Sequence, residues 1–207
     1  MPRVRITATD TIIATEPQSD EAVAAAYTQR PALVLDDLLD PAVLRNLSDI
    51  LRQATFVDQI VAGLGTRVIE APPRTGQLLR FLLDRAPLHR WLERVTGARP
   101  IASVAGKITQ LHAGQGHHLD WHNDSGNERR VLGVTVNLGS EPYEGGRFEM
   151  RRRGSDEILL RHDHNRPGSA LIFQVDNDLM HRVTPVTSGG PRTVFSGWFL
   201  SAEPRES

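Results

Sequence analysis

Between residues 101 and 200 the chain is written in short runs, and that rhythm limits the possible folds more than any other feature. The runs fall at 101–112, 118–124, 130–138, 146–152, 157–160, 169–175, 180–186 and 192–200, with Gly, Pro, Asn and Asp gathered between them. Strand-length runs punctuated by turn residues at this spacing belong to double-layered all-β structures. The reading is a double-stranded β-helix, a jelly roll of cupin-like type. No internal repeat or low-complexity segment breaks the pattern.

The residues before 101 have another texture. Residues 3–14 carry β-branched side chains in a strand-like pattern. Ser19, with Asp20 and Glu21 behind it, is placed to cap an Ala-rich helix running to about Arg30. Pro31 closes that helix, and residues 32–35 (Ala-Leu-Val-Leu) form a short buried strand. Asp40-Pro41 supplies a cap followed by proline at the first helical position. Val43, Leu44, Leu47, Ile50 and Leu51 then fall on one helical face, read as core. Two more helices are predicted over about 75–85 and 87–96, the second stopped by Gly97. Helices first and strands after make an α+β, mainly β chain, with N-terminal helices packed on one sheet. Residues 1–100 are the helical support layer and 101–207 the β-helix core, together one compact domain.

The bulk composition narrows the chemistry. A chain of 207 residues can bury roughly 70% of its unfolded surface in one domain. A net charge of -1 gives no reason to expect a nucleic acid or an acidic membrane as partner. The opening Met1-Pro2-Arg3-Val4-Arg5 lacks the apolar run of a signal peptide, and no later segment could span a bilayer, so the expectation is a cytoplasmic globular protein. Oligomeric state is not legible. With no cysteine there are neither disulfides nor thiolate metal sites, and a metal would have to be held by histidine and carboxylate. Of the eight histidines, five (His112, His117, His118, His122 and His181) fall around such a combination.

That combination is His122-Asn123-Asp124. Residues i and i+2 of a strand leave the same face, so His122 and Asp124 can address one metal ion while a third ligand, His181, arrives from another strand. Two imidazoles and one carboxylate with positions left open suit non-haem Fe(II). His118 and Asp120 share the same parity and make a second H-x-D pair, although His117 and His118 read more simply as a polar strand edge or pocket rim.

Several blocks, taken in order, resemble the catalytic half of prolyl-hydroxylase-type 2-oxoglutarate/Fe(II) dioxygenases. They are Leu111-His112-Ala113-Gly114-Gln115-Gly116, His122-Asn123-Asp124, Val136-Asn137-Leu138, Glu144-Gly145-Gly146 and Pro167-Gly168-Ser169-Ala170-Leu171-Ile172-Phe173. The last and most specific block is His181-Arg182-Val183-Thr184-Pro185-Val186, followed by Gly190-Pro191-Arg192 and Trp198-Phe199. Before residue 101 only Leu33-Val34-Leu35-Asp36-Asp37-Leu38-Leu39 is loosely similar.

The resemblance implies an enzyme using Fe(II), 2-oxoglutarate and O2. It favours His122/Asp124 over His118/Asp120, because the offset from Gly114 to His122 fits, and it makes His181 the third ligand. Arg192 would hold the distal carboxylate of 2-oxoglutarate, since a guanidinium pairs with a carboxylate through two parallel hydrogen bonds, and Ser196 would add another. His112 and Thr135 stand where relatives often carry tyrosines lining the co-substrate pocket, so that pocket is remodelled. A carboxylate at Asp124 fills the position that halogenating relatives leave open, which implies hydroxylation. The primary substrate would be a small molecule or a peptide segment. The competing readings are a non-enzymatic cupin-like binding protein and a metal enzyme independent of 2-oxoglutarate, such as a zinc isomerase or hydrolase.

Four smaller expectations complete the reading. Gln110, on the His112 face, could touch substrate. Arg151-Arg152-Arg153-Gly154 is a solvent-exposed hairpin tip, His162-Asp163-His164-Asn165 is a loop, and Trp121 packs on the face opposite the ligands.

Overall fold

In the computed structural model, which describes residues 3–14 and 17–203, the change of texture near residue 101 is a change of layer. The N-terminal part runs β1 (Arg3–Ile6), β2 (Thr11–Ala14), α1 (Pro17–Gln29), β3 (Ala32–Leu35) and α2 (Pro41–Leu51). It continues through β4 (Phe56–Val61), β5 (Gly65–Glu70), α3 (Arg74–Leu83) and α4 (Ala86–Thr96). The β-rich part runs β6 (Ile101–Leu111), β7 (Leu119–His122), β8 (Arg130–Asn137), β9 (Tyr143–Gly145), β10 (Phe148–Arg152) and β11 (Ile158–His162). It closes with β12 (Ala170–Gln174), β13 (Leu179–Val183), β14 (Val186–Gly189) and β15 (Arg192–Ser201).

Two antiparallel sheets face each other, the architecture of a double-stranded β-helix. The larger has seven strands in the order β3-β12-β8-β15-β6-β5-β4, and the smaller has four, β11-β10-β13-β7. Alternation along each strand sends side chains to opposite faces of the large sheet. Its outer face (Val104, Ile108, Val134, Val136, Ile172, Phe195, Phe199) packs with Leu79, Leu83, Leu88, Trp91 and Leu92 of α3 and α4 in one hydrophobic core. Its inner face (Leu111, Leu171, Phe173) packs against Phe148, Met150, Leu160, Leu179 and Val183 of the small sheet in a second. The helical stripes are therefore core.

Helix starts follow the expected chemistry in part. Asp40 caps α2, accepting a hydrogen bond from the Ala42 amide at 2.9 Å with Pro41 behind it, and Gly97 ends α4 with φ 68°. Ser19 is a correction: α1 already opens at Pro17, so Ser19 lies inside its first turn and is not its cap, while residues 15 and 16 fall outside the described residues. Asp20 ties α1 to α4 instead, accepting from the Trp91 indole at 3.0 Å and from Arg94 Nε at 2.9 Å. Residues 3–14 form two strands of a hairpin turned at Thr7–Asp10.

The larger difference is the β4–β5 hairpin, for which the sequence showed no signal. Its burial alternates poorly, and Val57 and Ile60 are 43% and 81% exposed, so no period-2 pattern marks it. β5 pairs with β6 and extends the large sheet beyond the expected strands. The N-terminal segment thus brings β3, β4 and β5 to the large sheet as well as its helices.

Candidate metal and co-substrate site

The cluster that could hold a metal is set by strand register. β13 and β7 pair with His181 directly opposite His122, and the two ring centroids are 4.2 Å apart. β7 ends at His122, so Asp124 lies just past the strand, where the Asn123 amide bonds the Asn177 carbonyl and the chain bends. The Asp124 carboxylate reaches back to within 3.3 Å of His181 Nε2 and 3.8 Å of His122 Nε2. Ligand atoms of the three side chains all lie within 4.8 Å of one another, close enough to share one ion. They are the one such group among the described residues.

The protonation states suit a cation. Nδ1 of His122 faces the Asp120 carbonyl at 2.7 Å and must donate there, which leaves Nε2 with its lone pair for a metal. Burial, followed by the nearby His181, pushes the His122 imidazole below its ordinary value, so it is neutral at pH 7. Burial would raise Asp124, but hydrogen bonding and charge from His181, the Trp198 indole and His122 outweigh it and hold the carboxyl at about 2. The Trp198 indole donates to Asp124 Oδ2 at 2.8 Å, and Arg130 lies over the Trp198 ring at 3.7 Å while its Nη1 donates to the Asp124 carbonyl. Phe173 and Phe148 close the inner side, their rings 4.7 Å and 5.5 Å from that of His181. Outer partners of this kind typically change metal affinity 10–100-fold when removed. Trp198→Phe, which keeps the ring and loses the donor, is expected to weaken Fe(II) binding by about 10-fold or more, measured by competition with a chelator.

The alternative H-x-D pair does not assemble. His118 precedes β7 and faces the Gly116 carbonyl, and it meets only Asp120, itself 67% exposed, at 3.7 Å. His117 is buried and accepts from the His112 amide through Nδ1.

Arg192 opens β15 and is 3% exposed, with its Nε and Nη2 lacking any hydrogen-bond partner. These atoms form one edge of the guanidinium fork, the edge that grips a carboxylate through two parallel bonds. Gly146, at φ 58°, makes the burial possible, since a Cβ there would stand 2.7 Å from Arg192 Cδ. Ser196 faces inward two residues before Trp198, directly across from Lys107 on β6 and Thr135 on β8. A buried guanidinium with one free edge, on the same inward face of β15 as the Trp198 that bonds Asp124, fits the carboxylate of a metal-chelating dicarboxylate such as 2-oxoglutarate.

The structure does not bring His112 to this pocket. Strand alternation sends Leu111 inward and Gln110 outward, and Gln110 bonds Thr193 at 3.1 Å on the helix-side face. His112 Nε2 bonds the Gln110 side chain at 3.0 Å, so both residues are occupied away from the cluster, and the expectation that Gln110 touches substrate is corrected with the same reason.

His162-Asp163-His164-Asn165 is also more than a loop. His162 ends β11, and His164 is 1% exposed, its Nδ1 3.2 Å from Thr135 Oγ1 and its Nε2 3.3 Å from the Ser169 carbonyl. Burial, then the charges of Arg192 and His162, holds the His164 ring far below the ordinary imidazole value. An unfolded His164 takes a proton near pH 6.5 and the folded ring refuses it. Stability of the apoprotein is therefore complete above pH ~6.5 and falls below it, by up to about 1.4 kcal/mol per pH unit for this group. His164→Gln is expected to flatten that part of the profile in urea melts at pH 7.5 and 5.5.

Sequence reasoning missed Arg67, Lys107, Arg130 and Tyr143. Arg67 lies on the unforeseen β5, bonds Gln59 across the hairpin at 2.9 Å, and sits close enough to Asp124 to feel its charge. The hairpin is held beside the cluster by backbone bonds from His118 to Thr66 and from Asp120 to Leu64. Arg151 and Arg182 flank Trp121, which packs away from the cluster as expected, and Gly154 turns the Arg-rich hairpin tip at φ 75°.

Comparisons with known proteins agree with this geometry. Residues 107–200 match the family model of the 2OG-Fe(II) oxygenase superfamily. Among solved structures, a 2OG-Fe(II) oxygenase family oxidoreductase from Burkholderia pseudomallei superposes with TM-score 0.65 at 16% identity, over 98% of this chain and 97% of that one. A Pseudomonas putida prolyl-4-hydroxylase superposes with TM-score 0.61 at 16% identity, over 88% and 99%. The non-heme alpha ketoglutarate dependent epimerase SnoN from nogalamycin biosynthesis gives TM-score 0.66 at 15% identity, over 90% and 85%. A comparison with curated protein sequences found no match. No helix among the described residues is long and apolar enough to cross a membrane. Residues 107–200, which carry the His-Asp-His cluster and Arg192, thus match the 2OG-Fe(II) oxygenase superfamily, and the match indicates an enzyme of that kind.

Proposed function

We propose that the enzyme hydroxylates an unactivated C–H bond in a small molecule or in a prolyl or other peptidyl substrate. The observation that carries this reading is the pairing on β15 of a buried Arg192 with an unpartnered edge and Trp198 bonded to the carboxylate of the metal cluster. A plain metal-binding cupin-like protein has no use for such an arginine. When bound, Fe(II) with 2-oxoglutarate and O2 supplies the oxidising power, giving succinate and CO2 alongside the oxidised substrate.

The chain's own residues do the positioning. His122 and His181 would offer imidazole nitrogens and Asp124 a carboxylate to the metal, a donor set that suits Fe(II). Trp198 and Arg130 hold the Asp124 carboxylate in one orientation. Arg192 anchors the far end of the keto acid, with Ser196 on the same inward face. Phe148 and Phe173 keep water from the inner side, and the β4–β5 hairpin with Arg67 flanks the outer side, where substrate would enter. That SnoN has been solved with Fe3+, alpha ketoglutarate and nogalamycin RO, and a second neighbour is a prolyl-4-hydroxylase, supports both substrate classes.

The test is an anaerobic titration of Fe(II) and 2-oxoglutarate into the apoprotein, following the visible metal-to-ligand charge-transfer band. The band is expected in wild type and in His118→Ala and absent in His122→Ala. Iron binding without a band in wild type would overturn the reading in favour of a metal-binding protein, or a metal enzyme, that does not use 2-oxoglutarate.

A further inference from the structure

Buried polar side-chain atoms without a partner are rare in folded proteins, and each one asks for an explanation. Among the described residues there are seven such atoms, and three of them are Arg192 Nε, Arg192 Nη2 and His162 Nε2. His162 and Arg192 come from different sheets yet lie within electrostatic reach of each other. His162 is the cross-strand partner of Phe148, and directly opposed residues share a face. Phe148 faces inward, where its ring stacks on His181, so His162 faces inward too.

The other polar groups around the guanidinium have already spent their protons. His164 Nε2 can only donate to the Ser169 carbonyl, so its Nδ1 is an acceptor and Thr135 Oγ1 must donate to it. The Tyr143 hydroxyl lies beside Arg192 but donates to the His164 carbonyl, which the Asn137 amide also bonds. Neither Thr135 nor Tyr143 therefore has a proton left for an anion. A carboxylate gripped by one edge of Arg192 still has lone pairs to satisfy, and the unpartnered nitrogen of His162 is the donor that remains from the small sheet.

We propose that His162 is a co-substrate-binding residue, its Nε2–H completing with Arg192 the seat for the distal carboxylate of 2-oxoglutarate. This rests on the functional reading above and assigns a role there to β11, which otherwise serves as an edge strand. His164 is a positioning residue, orienting Thr135 and the Tyr143 hydroxyl around the seat without touching the ligand.

The experiment compares two keto acids on the Fe(II)-loaded protein under anaerobic conditions. 2-Oxoglutarate carries the distal carboxylate, while 2-oxobutyrate keeps the chelating end and lacks it. His162→Phe is expected to raise the Kd for 2-oxoglutarate by about 10-fold or more, the effect of one lost hydrogen bond to a charged group. The Kd for 2-oxobutyrate should stay as in wild type, and His162→Gln, which retains a donor, should recover most of the loss. An unchanged 2-oxoglutarate Kd in His162→Phe, while Arg192→Met abolishes binding, would overturn the role of His162 and leave the functional reading standing. Equal weakening of both keto acids in both variants would overturn it as well, marking His162 as structural. No charge-transfer band in wild type would overturn the functional reading and the inference together.

Discussion

Arg192→Met is expected to make the apoprotein more stable while abolishing 2-oxoglutarate binding. The guanidinium is 3% exposed and one of its edges has no partner, so the apo fold carries a desolvated charge that it does not pair. Replacing a buried ion pair by apolar side chains of similar volume is often neutral or stabilising by about 1–4 kcal/mol, and the free edge of Arg192 has no hydrogen bond to lose. For a domain of this size that is a rise in Tm of roughly 2–4 °C per kcal/mol. Methionine is unbranched, so it can follow the arginine stem past Gly146 without a new clash. Truncating one partner of a buried charge pair costs the bound state about 2–5 kcal/mol, which weakens 2-oxoglutarate by roughly 30-fold to several thousand-fold. Thermal melts with and without 2-oxoglutarate and Mn(II) test both halves. Wild type should gain stability from the ligand and the variant should not. A variant that melts far below wild type and still responds to 2-oxoglutarate would make Arg192 a structural anchor.

The second large effect is expected at the metal cluster. Asp124→Ala should lose iron binding and with it all 2-oxoglutarate turnover, because its carboxylate, within reach of both imidazoles, would be the anionic ligand. It also removes the acceptor of the Trp198 indole, so an organised pocket becomes an unsatisfied one. His181→Ala should behave alike, since His181 stands opposite His122 across the β13–β7 ladder and no other histidine reaches that point among the described residues. His118→Ala and Asp120→Ala should keep wild-type iron stoichiometry, as both side chains sit at the rim. Succinate formation and bound iron, measured side by side, distinguish the sets. Retained turnover in Asp124→Ala, or its loss in His118→Ala, would transfer the metal to the other H-x-D pair.

The candidate metal cluster was legible because strand parity and residue type carry it: two residues apart on an extended segment, with no cysteine to compete. Even so, β7 stops at His122, and Asp124 reaches the cluster through a bend that parity did not foresee. Arg192 was legible from its place in the last block, but its burial and free edge were not. His112 shows the limit from the other side. Its position in the chain matched a pocket residue, and the register of β6 against β15 put Leu111 inward and left His112 with Gln110.

What the sequence determined by itself was eight of the ten strands from residue 101 onward, all but the short β9 and β14, with the helical stripes and the candidate metal donors, because these follow from local period and side-chain chemistry. Only the tertiary structure decided which partners surround them. The β4–β5 hairpin is too exposed to show a period, and His164 is buried although it sits in a polar run. His162, Arg192, Thr135 and Tyr143 come from four strands of three sheets. Hydrogen-bond donors and acceptors are assigned by whatever neighbours the fold supplies, and no spacing along the chain records that.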